Sequence, residues 1–388
     1  MNILISGGGI AGLTAANLLQ KSGHSVTVID KAHEFTNAGF VLSLKSFGVE
    51  ILDELGLKTE LKSKATTSKY VNFLQPSGKL IRSLSYDVIN QRLSKSIFAT
   101  RDGIHKVILN SVKDIIKLMM TTTIASVNQI ENGIQVTLSN GEQINADLLI
   151  ISEGLHSTTR QTYFKSTQVN NFNIFYLAGR VSYKHNYDLG VFKSFMGVKK
   201  MLAILPLSET EIALQCYLHT TTDVETLQSN TKQLLQDSYA EFDEEVQNII
   251  KEVIEKGTIF SDKMGMVHSE NLVNGRMVLL GDAGYCPTAL SGMGASLSIY
   301  GAKALTHFIN QQPENISVAL KHYNDCLKPV IEKFQNNAKK NATSFLPHTK
   351  FKHFIFNLLF RIIPQSLISL RMSRELGLTV NQKEFVLG

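Results

Sequence analysis

Gly7, Gly9 and Gly12 stand between a short apolar run, Asn2 to Ser6, and a helical pattern from Ile10 to Ser22. Ser25 to Asp30 then alternates in strand fashion. Strand, glycine turn, helix and strand in about thirty residues leave little besides a βαβ unit, because parallel strands need a crossover between them. Gly7 permits the tight turn, Gly9 admits a pyrophosphate to the backbone, and Gly12 lets the helix lie close on the sheet. The pyrophosphate is expected at the helix N-terminus, where Ile10 and Ala11 join the contacts. Asp30, 23 positions after Gly7, ends the next strand with a carboxylate for ribose hydroxyls, and Lys31 stands beside it. A plain glycine turn is the blander reading, and the flanking strand, helix and acid argue against it.

A second glycine-rich turn follows the buried strand Arg276 to Leu280. It reads Gly281-Asp282-Ala283-Gly284-Tyr285-Cys286-Pro287 and continues to Gly292-Met293-Gly294-Ala295 at the start of a helix running to about Ile309. Asp282 is placed to bond a polar ribityl chain. The N–H groups after Gly292 are placed to face the electron-rich side of a flavin. An ordinary strand-to-helix turn seldom needs Gly, Asp, Gly and Gly at these offsets.

Between the two turns, Arg101 to Asp114 reads as a helix. Asn132-Gly133 and Asn140-Gly141 mark a three-stranded meander over Thr123 to Ile130, Ile134 to Leu138 and Gln143 to Asp147. Leu148 to Ser152 is a buried strand. Phe164 to Met266 is rich in alternating strands, with one long helix expected from Glu225 to Glu255. Ser317 to Lys340 is helical.

The order of the glycine start, the Gly-Asp segment and Ile151-Ser152-Glu153-Gly154-Leu155-His156-Ser157-Thr158-Thr159-Arg160 resembles that of group A flavoprotein monooxygenases. Within that family the likeness narrows to tetracycline destructases, through Gly-Asp-Ala-x-Tyr-Cys-Pro, Leu-Ser-Gly-x-Gly and an added C-terminal helical tail. The resemblance spans about residues 1 to 340. It implies an α/β fold with a Rossmann-like FAD-binding domain of glutathione-reductase type, carrying the three-stranded meander. A β-sheet-rich substrate domain and a C-terminal helical tail complete it. The expected division is 1–65, 99–163 and 267–340 for FAD, 66–98 and 164–266 for substrate, and 341–388 for bridging helices. The resemblance further implies that Arg101 meets the FAD and that Ser43, after Gly39, lies near the flavin.

The implied chemistry is hydride transfer from NADPH or NADH, docking transiently, to FAD, then oxygenation of a small polycyclic or aromatic substrate through a flavin C4a-hydroperoxide. Tetracycline is the expected substrate. A phenol or quinone-precursor hydroxylase and a flavoprotein that sequesters its ligand are the other two readings. No catalytic side chain is assigned, because the cofactor carries the reaction. Three departures from the family stand out: Ser152 and Glu153 replace Ala and Asp, Tyr285 replaces His, and Ala289 replaces Pro.

Composition narrows the remaining choices. A 388-residue chain of net charge +6, with no run of basic residues interleaved with aromatics, is not read as a nucleic-acid binder. Cys216, Cys286 and Cys326 are isolated, and His24, His105, His185 and His219 lack metal spacing, so neither disulfides nor a metal site is expected. No stretch is apolar enough to span a membrane, and a cytoplasmic monomer is expected. The tail from Phe351 to Leu370 is apolar, with Lys350, Lys352, Arg361, Arg371 and Arg374 interspersed. It reads as a helix packed on the two lobes or dipping into a membrane interface. Packing is favoured, because Pro364 interrupts the periodicity.

Overall fold

The computed structural model describes residues 1–35, 41–66, 68–86, 96–342, 345–368, 370 and 387. Gly39, Arg371 and Arg374 lie outside them.

Strand β1 (Asn2–Ser6) is apolar from Ile3 to Ile5 and runs through the core. It turns at Gly7 into α1 (Ile10–Lys21), ten of whose twelve residues are buried, so α1 is covered all round rather than lying on a surface. Strand β2 (Ser25–Ile29) pairs parallel with β1. After β3 (Val41–Leu44), α2 (Ser46–Glu54) and α3 (Lys58–Ser63), the chain leaves this sheet for β4 (Tyr70–Leu74) and β5 (Leu80–Ser85). It comes back through β6 (Ile97–Thr100), antiparallel to β3.

Helix α4 (Arg101–Val112), capped by the Thr100 hydroxyl, leads to β7 (Lys117–Met119). The meander follows as β8 (Ile124–Ile130), β9 (Gly133–Leu138) and β10 (Gln143–Ala146), and then β11 (Leu148–Ile151) enters the core fully buried. Gly141 takes φ +84° at the second meander turn, whereas Gly133 already belongs to β9.

Helix α5 (Thr158–Tyr163) opens the second half. Strands β12 (Thr167–Ser182), β13 (Val191–Gly197), β14 (Lys200–Ser208) and β15 (Glu211–His219) follow, and β12 pairs with β16 (Thr258–Ser269). The expected single helix from Glu225 to Glu255 is instead α6 (Val224–Ser229), α7 (Thr231–Ser238) and α8 (Glu244–Lys256). Local capping wins over continuity there. Asp223 accepts from the Thr226 N–H and Asp243 from the Val246 N–H, each carboxylate opening a new helix. Strands β17 (Val273–Asn274) and β18 (Met277–Leu279) precede α9 (Asp282–Tyr285), α10 (Gly294–Gln311), α11 (Ile316–Ala342) and α12 (Lys350–Ile362).

Two large sheets result. One is ordered β17-β18-β11-β1-β2-β7, parallel from β18 to β7, and the other β16-β12-β15-β14-β13-β4-β5. Alternation along β12 and β15 divides the second sheet's faces. Phe175, Leu177, Leu214 and Cys216 point to a core under α7 and α8. Tyr176, Ala178, Tyr217 and Gln215 point the other way, toward the first sheet, where the Gln215 amide donates to the Val41 carbonyl. Arg180 of β12 clamps the halves further, donating to Glu211 at 2.6 Å and to Asp102 of α4 at 2.9 Å.

The approach of α1 to the sheet is the tightest point. A Cβ on Gly12 would stand 2.0 Å from the Gly7 carbonyl oxygen and 2.6 Å from Ser152 Oγ. Gly12→Ala is therefore expected to destabilise the protein by about 1–3 kcal/mol. Urea titration checks this, and an unchanged midpoint would refute the close approach.

Candidate functional site

Gly7 takes φ +106°, and its N–H donates to the Ile29 carbonyl at 2.8 Å, which locks the turn between β1 and β2. The N-cap of α1 is Gly9, which provides no capping side chain, so the first N–H groups of α1 are left for a ligand. A Cβ on Gly9 would meet nothing within 4 Å, unlike one on Gly7 or Gly12. The turn is closed behind and open in front, as an anion at a helix N-terminus requires. Asp30 accepts from the Gly8 N–H at 2.6 Å and from the Ala32 N–H at 2.8 Å, one bond to each oxygen, and each oxygen keeps a lone pair. Lys31 is exposed beside it.

His105, read from the sequence as one of several scattered histidines, has a local job. Its Nε2 donates to the Gly8 carbonyl at 2.7 Å, and its ring packs on Phe35, 4.5 Å between centroids. Burial holds its pKa below the usual histidine range.

The Ser152-Glu153 departure is explained by reach. Glu153 accepts from the hydroxyls of Ser6, Ser157 and Thr159 at 2.6–2.7 Å and from the Thr159 N–H at 3.2 Å. The longer carboxylate thus ties the end of β1 to the start of α5. Ser152 Oγ donates to the Gly7 carbonyl at 2.8 Å, and buried Arg160 donates to the Ala283 carbonyl at 3.2 Å. The third motif in this way holds both glycine-rich turns together.

At the second turn Gly281 takes φ +64°, and a Cβ there would stand 2.8 Å from Ala11 Cβ, so this segment crosses over α1. Asp282 opens α9, and its Oδ1 lies 3.6 Å from the Cβ position of Gly294, at the start of α10. Burial pushes the Asp282 carboxyl up, and the exposed Arg101 guanidinium pulls it back. Gly292 is left-handed at φ +60°, and Met293, the N-cap of α10, caps no N–H with its side chain. Ala295 lies in that uncapped first turn. Thr288 carries φ +65° with its hydroxyl buried and unbonded, a strained β-branched residue in the same loop. Tyr285 is buried under α10, and Cys286 is buried with its thiol raised well above the ordinary range by burial, which fits a packing role.

Ser43 on β3 accepts from Lys45 Nζ at 3.1 Å, and the Lys45 N–H donates to Ser296 Oγ at 2.9 Å, so this strand end sits on the first turn of α10. Lys45 was not singled out in the sequence, where it is one lysine among many. It is only 4% exposed, forms no ion pair among the described residues, and burial brings its pKa down to about 8. The structure therefore gathers Ser43, Asp282, Gly294 and Ala295 with a buried cation. Opposite them Leu290 packs with Tyr176, Tyr217 and Phe345 on the site-facing side of the second sheet, while Tyr86 contacts Phe98 and Phe192. Among the described residues there is no cluster of three or more His, Cys, Asp or Glu suited to a metal.

A family model described as an FAD binding domain matches residues 1–335. A flavin-dependent monooxygenase of Legionella longbeachae is 26% identical over 360 residues, covering 89% of this chain and 90% of that protein. Among solved structures, tetracycline destructase Tet(51) superposes with a TM-score of 0.84 at 18% identity, covering 100% of this chain and 99% of that one. Klebsiella pneumoniae HpxO, complexed with FAD and uric acid, gives 0.82 at 20% identity over 97% of both chains. This chain shares their fold, a mixed α/β one that here has sheet-rich halves and a helical C-terminal region.

The residues fit FAD: an open glycine turn at one helix N-terminus, a second uncapped helix start beside Asp282, and a buried cation without a counter-ion among the described residues. Gly9→Val is expected to keep the parent's melting temperature yet lose FAD, measured as flavin absorbance after gel filtration. Retained yellow colour would refute the open-turn reading. Asp282→Ala should weaken FAD binding roughly 5- to 150-fold, the loss of a buried hydrogen bond worth about 1–3 kcal/mol.

Lys45→Met replaces a buried cation by an apolar chain of similar length, and the FAD-free variant should exceed the parent in stability on the order of 2 kcal/mol near pH 7. The sign follows from the depressed pKa. Between about pH 8 and the ordinary lysine value of 10.5 the unfolded chain binds a proton the folded one does not, so the parent gains stability as pH rises. The gap between variant and parent should close across that window in paired denaturation curves. A constant gap would show that Lys45 is not desolvated.

Proposed function

Because this chain belongs to the FAD binding domain family and is an FAD-dependent monooxygenase, we propose that it oxygenates tetracycline antibiotics and so inactivates them. The observation that carries the substrate class is the wall opposite the second glycine turn. Two aromatic groups, Tyr176 with Tyr217 and Tyr86 with Phe98 and Phe192, make up this wall, and α12 closes the edge of the second. Phe360 of α12 lies 4.6 Å from Phe73, and Arg82 donates to the carbonyls of Phe360 and Ile363. Ile368 joins the apolar cluster of Val71, Leu84 and Phe192, while Leu387 packs on the core of the first sheet, so the tail touches both halves. A flat polycyclic ligand suits such a wall, and Tet(51), a tetracycline destructase, shares the fold through its whole length.

In this reading 1–65, 99–163 and 267–340 hold the cofactor, 66–98 and 164–266 hold the substrate, and 341–388 bridge them. Gly7, Gly9 and Gly12 with the N–H groups of Ile10 and Ala11 receive the pyrophosphate. Asp30, with Lys31 at the rim, takes the ribose, and Asp282 the ribityl chain. Bound FAD would supply the redox chemistry, with two electrons from NADPH or NADH letting one atom of O₂ pass to the substrate while the other leaves as water. The chain's own share is electrostatic and steric. Lys45 and the N–H groups of Gly294 and Ala295 would favour negative charge on a bound flavin, Arg101 and Ser43 would help hold it, and the aromatic wall would exclude water. A nicotinamide that docks transiently fits a chain with one Gly-x-Gly-x-x-Gly turn, and the enzyme is taken to act as a cytoplasmic monomer.

The test is oxidation of tetracycline by the purified protein with NADPH, FAD and air. The long-wavelength absorbance of tetracycline should fall, the product should gain one oxygen atom by mass, and an expressing bacterium should survive the drug. Turnover of a simple phenolate without tetracycline would favour the phenol-hydroxylase reading, and ligand binding without NADPH consumption the sequestering one. Truncation after Pro347 removes the closing helix and should raise KM roughly tenfold, equivalent to about 1.4 kcal/mol of binding. An unaltered KM would separate the tail from the substrate site.

A further inference from the structure

Helix α12 has two apolar faces, and only one is used by the fold. Phe356 and Phe360 stack at 5.1 Å on the inner face, where His353 Nε2 also donates to the Met196 carbonyl at 3.0 Å. On the outer face Phe351 is 72% exposed, Phe354 62%, Leu358 43% and Ile362 68%. Their spacing of three, four and four residues makes one continuous stripe along the helix. Leu359 and Leu367 are exposed beside it. Six of the thirteen exposed large apolar side chains among the described residues thus fall within residues 351–367. Such a cluster marks an interaction surface, since scattered exposed apolar residues need no explanation and a patch does.

Charge indicates what covers the stripe. Between Glu332 and Glu375 the sequence has no acidic residue but eight basic ones, Lys333, Lys339, Lys340, Lys350, Lys352, Arg361, Arg371 and Arg374. Lys350, Lys352 and Arg361 are exposed on α12 itself. A second copy of this chain would bring the same acid-free surface against itself, setting cation against cation across a two-fold axis. An anionic lipid surface has the complementary charge and accepts an apolar stripe without needing a shaped partner. At thirteen residues α12 is about 20 Å long, too short for a bilayer core of about 30 Å, and no described helix is long and apolar enough to cross a membrane.

We propose that the outer face of α12 docks this protein reversibly on the anionic surface of a lipid bilayer, the helix lying in the headgroup plane while its inner face stays on the aromatic sheet. The proposal stands apart from the substrate reading, because it rests on the outer face alone.

The experiment uses the full FAD-loaded chain in sedimentation with vesicles of phosphatidylcholine alone or with about one-third phosphatidylglycerol. The anionic vesicles should retain at least about tenfold more protein, and raising salt from about 50 to about 500 mM should release it. Phe354→Glu with Ile362→Glu should cut binding at least about tenfold with FAD content and melting temperature unchanged. Should that variant fold poorly, Lys350→Glu with Lys352→Glu provides the same test and should lower binding several-fold. Absence of binding to anionic vesicles, or equal binding by the folded variants, overturns the proposal. So does a parent that sediments as a dimer while the Phe354→Glu, Ile362→Glu variant is a monomer, since the stripe would then belong to a second copy.

Discussion

The ends of β1, β11 and β18 converge more closely than side chains permit, and the rest of the molecule is arranged around that convergence. A Cβ on Gly7 would stand 2.4 Å from the Ser152 carbonyl oxygen, one on Gly12 2.0 Å from the Gly7 carbonyl oxygen, and one on Gly281 2.8 Å from Ala11. Such contact brings two helix starts, α1 and α10, to one edge of a parallel sheet, where their unsatisfied N–H groups face outward. Buried and half-buried groups then hold the turns in place: Glu153 with three hydroxyls, Ser152 on the Gly7 carbonyl, Arg160 on Ala283. The dinucleotide edge is a consequence of packing before it is a set of ligand contacts.

Electrostatics at this edge runs against stability, which is typical of functional sites. Lys45 is buried without an anionic partner among the described residues, Asp282 has a carboxyl raised by burial, and Thr288 holds a left-handed backbone with an unbonded hydroxyl. Half-buried Arg180, by comparison, is paired with both Asp102 and Glu211. That contrast is what a ligand-binding edge would show.

The tail adds a second economy of surface. One face of α12 completes an apolar cluster on the second sheet, and its basic, apolar outer face remains in solvent. Of the two alternatives raised by the sequence, packing describes the inner face, and the interface reading belongs to the proposal for the outer one. Pro364 ends the helix without interrupting the stripe, because Phe351 to Ile362 all precede it.

The sequence by itself determined the βαβ start, the meander, the buried strands and the order of three motifs, because glycine spacing and residue periodicity are local properties that any fold must respect. Fold class and cofactor family were legible from them. Local competition was not: the continuous helix expected from Glu225 to Glu255 breaks where Asp243 caps a new helix. Nor did spacing reveal that Glu153 would be consumed by Ser6, Ser157 and Thr159, or that His105 would fasten the Gly8 carbonyl 97 positions away. Lys45 was invisible for the same reason. A lysine reads as solvated until tertiary packing from α2 and α10 buries it, and desolvation is a property of neighbours brought from 251 residues away.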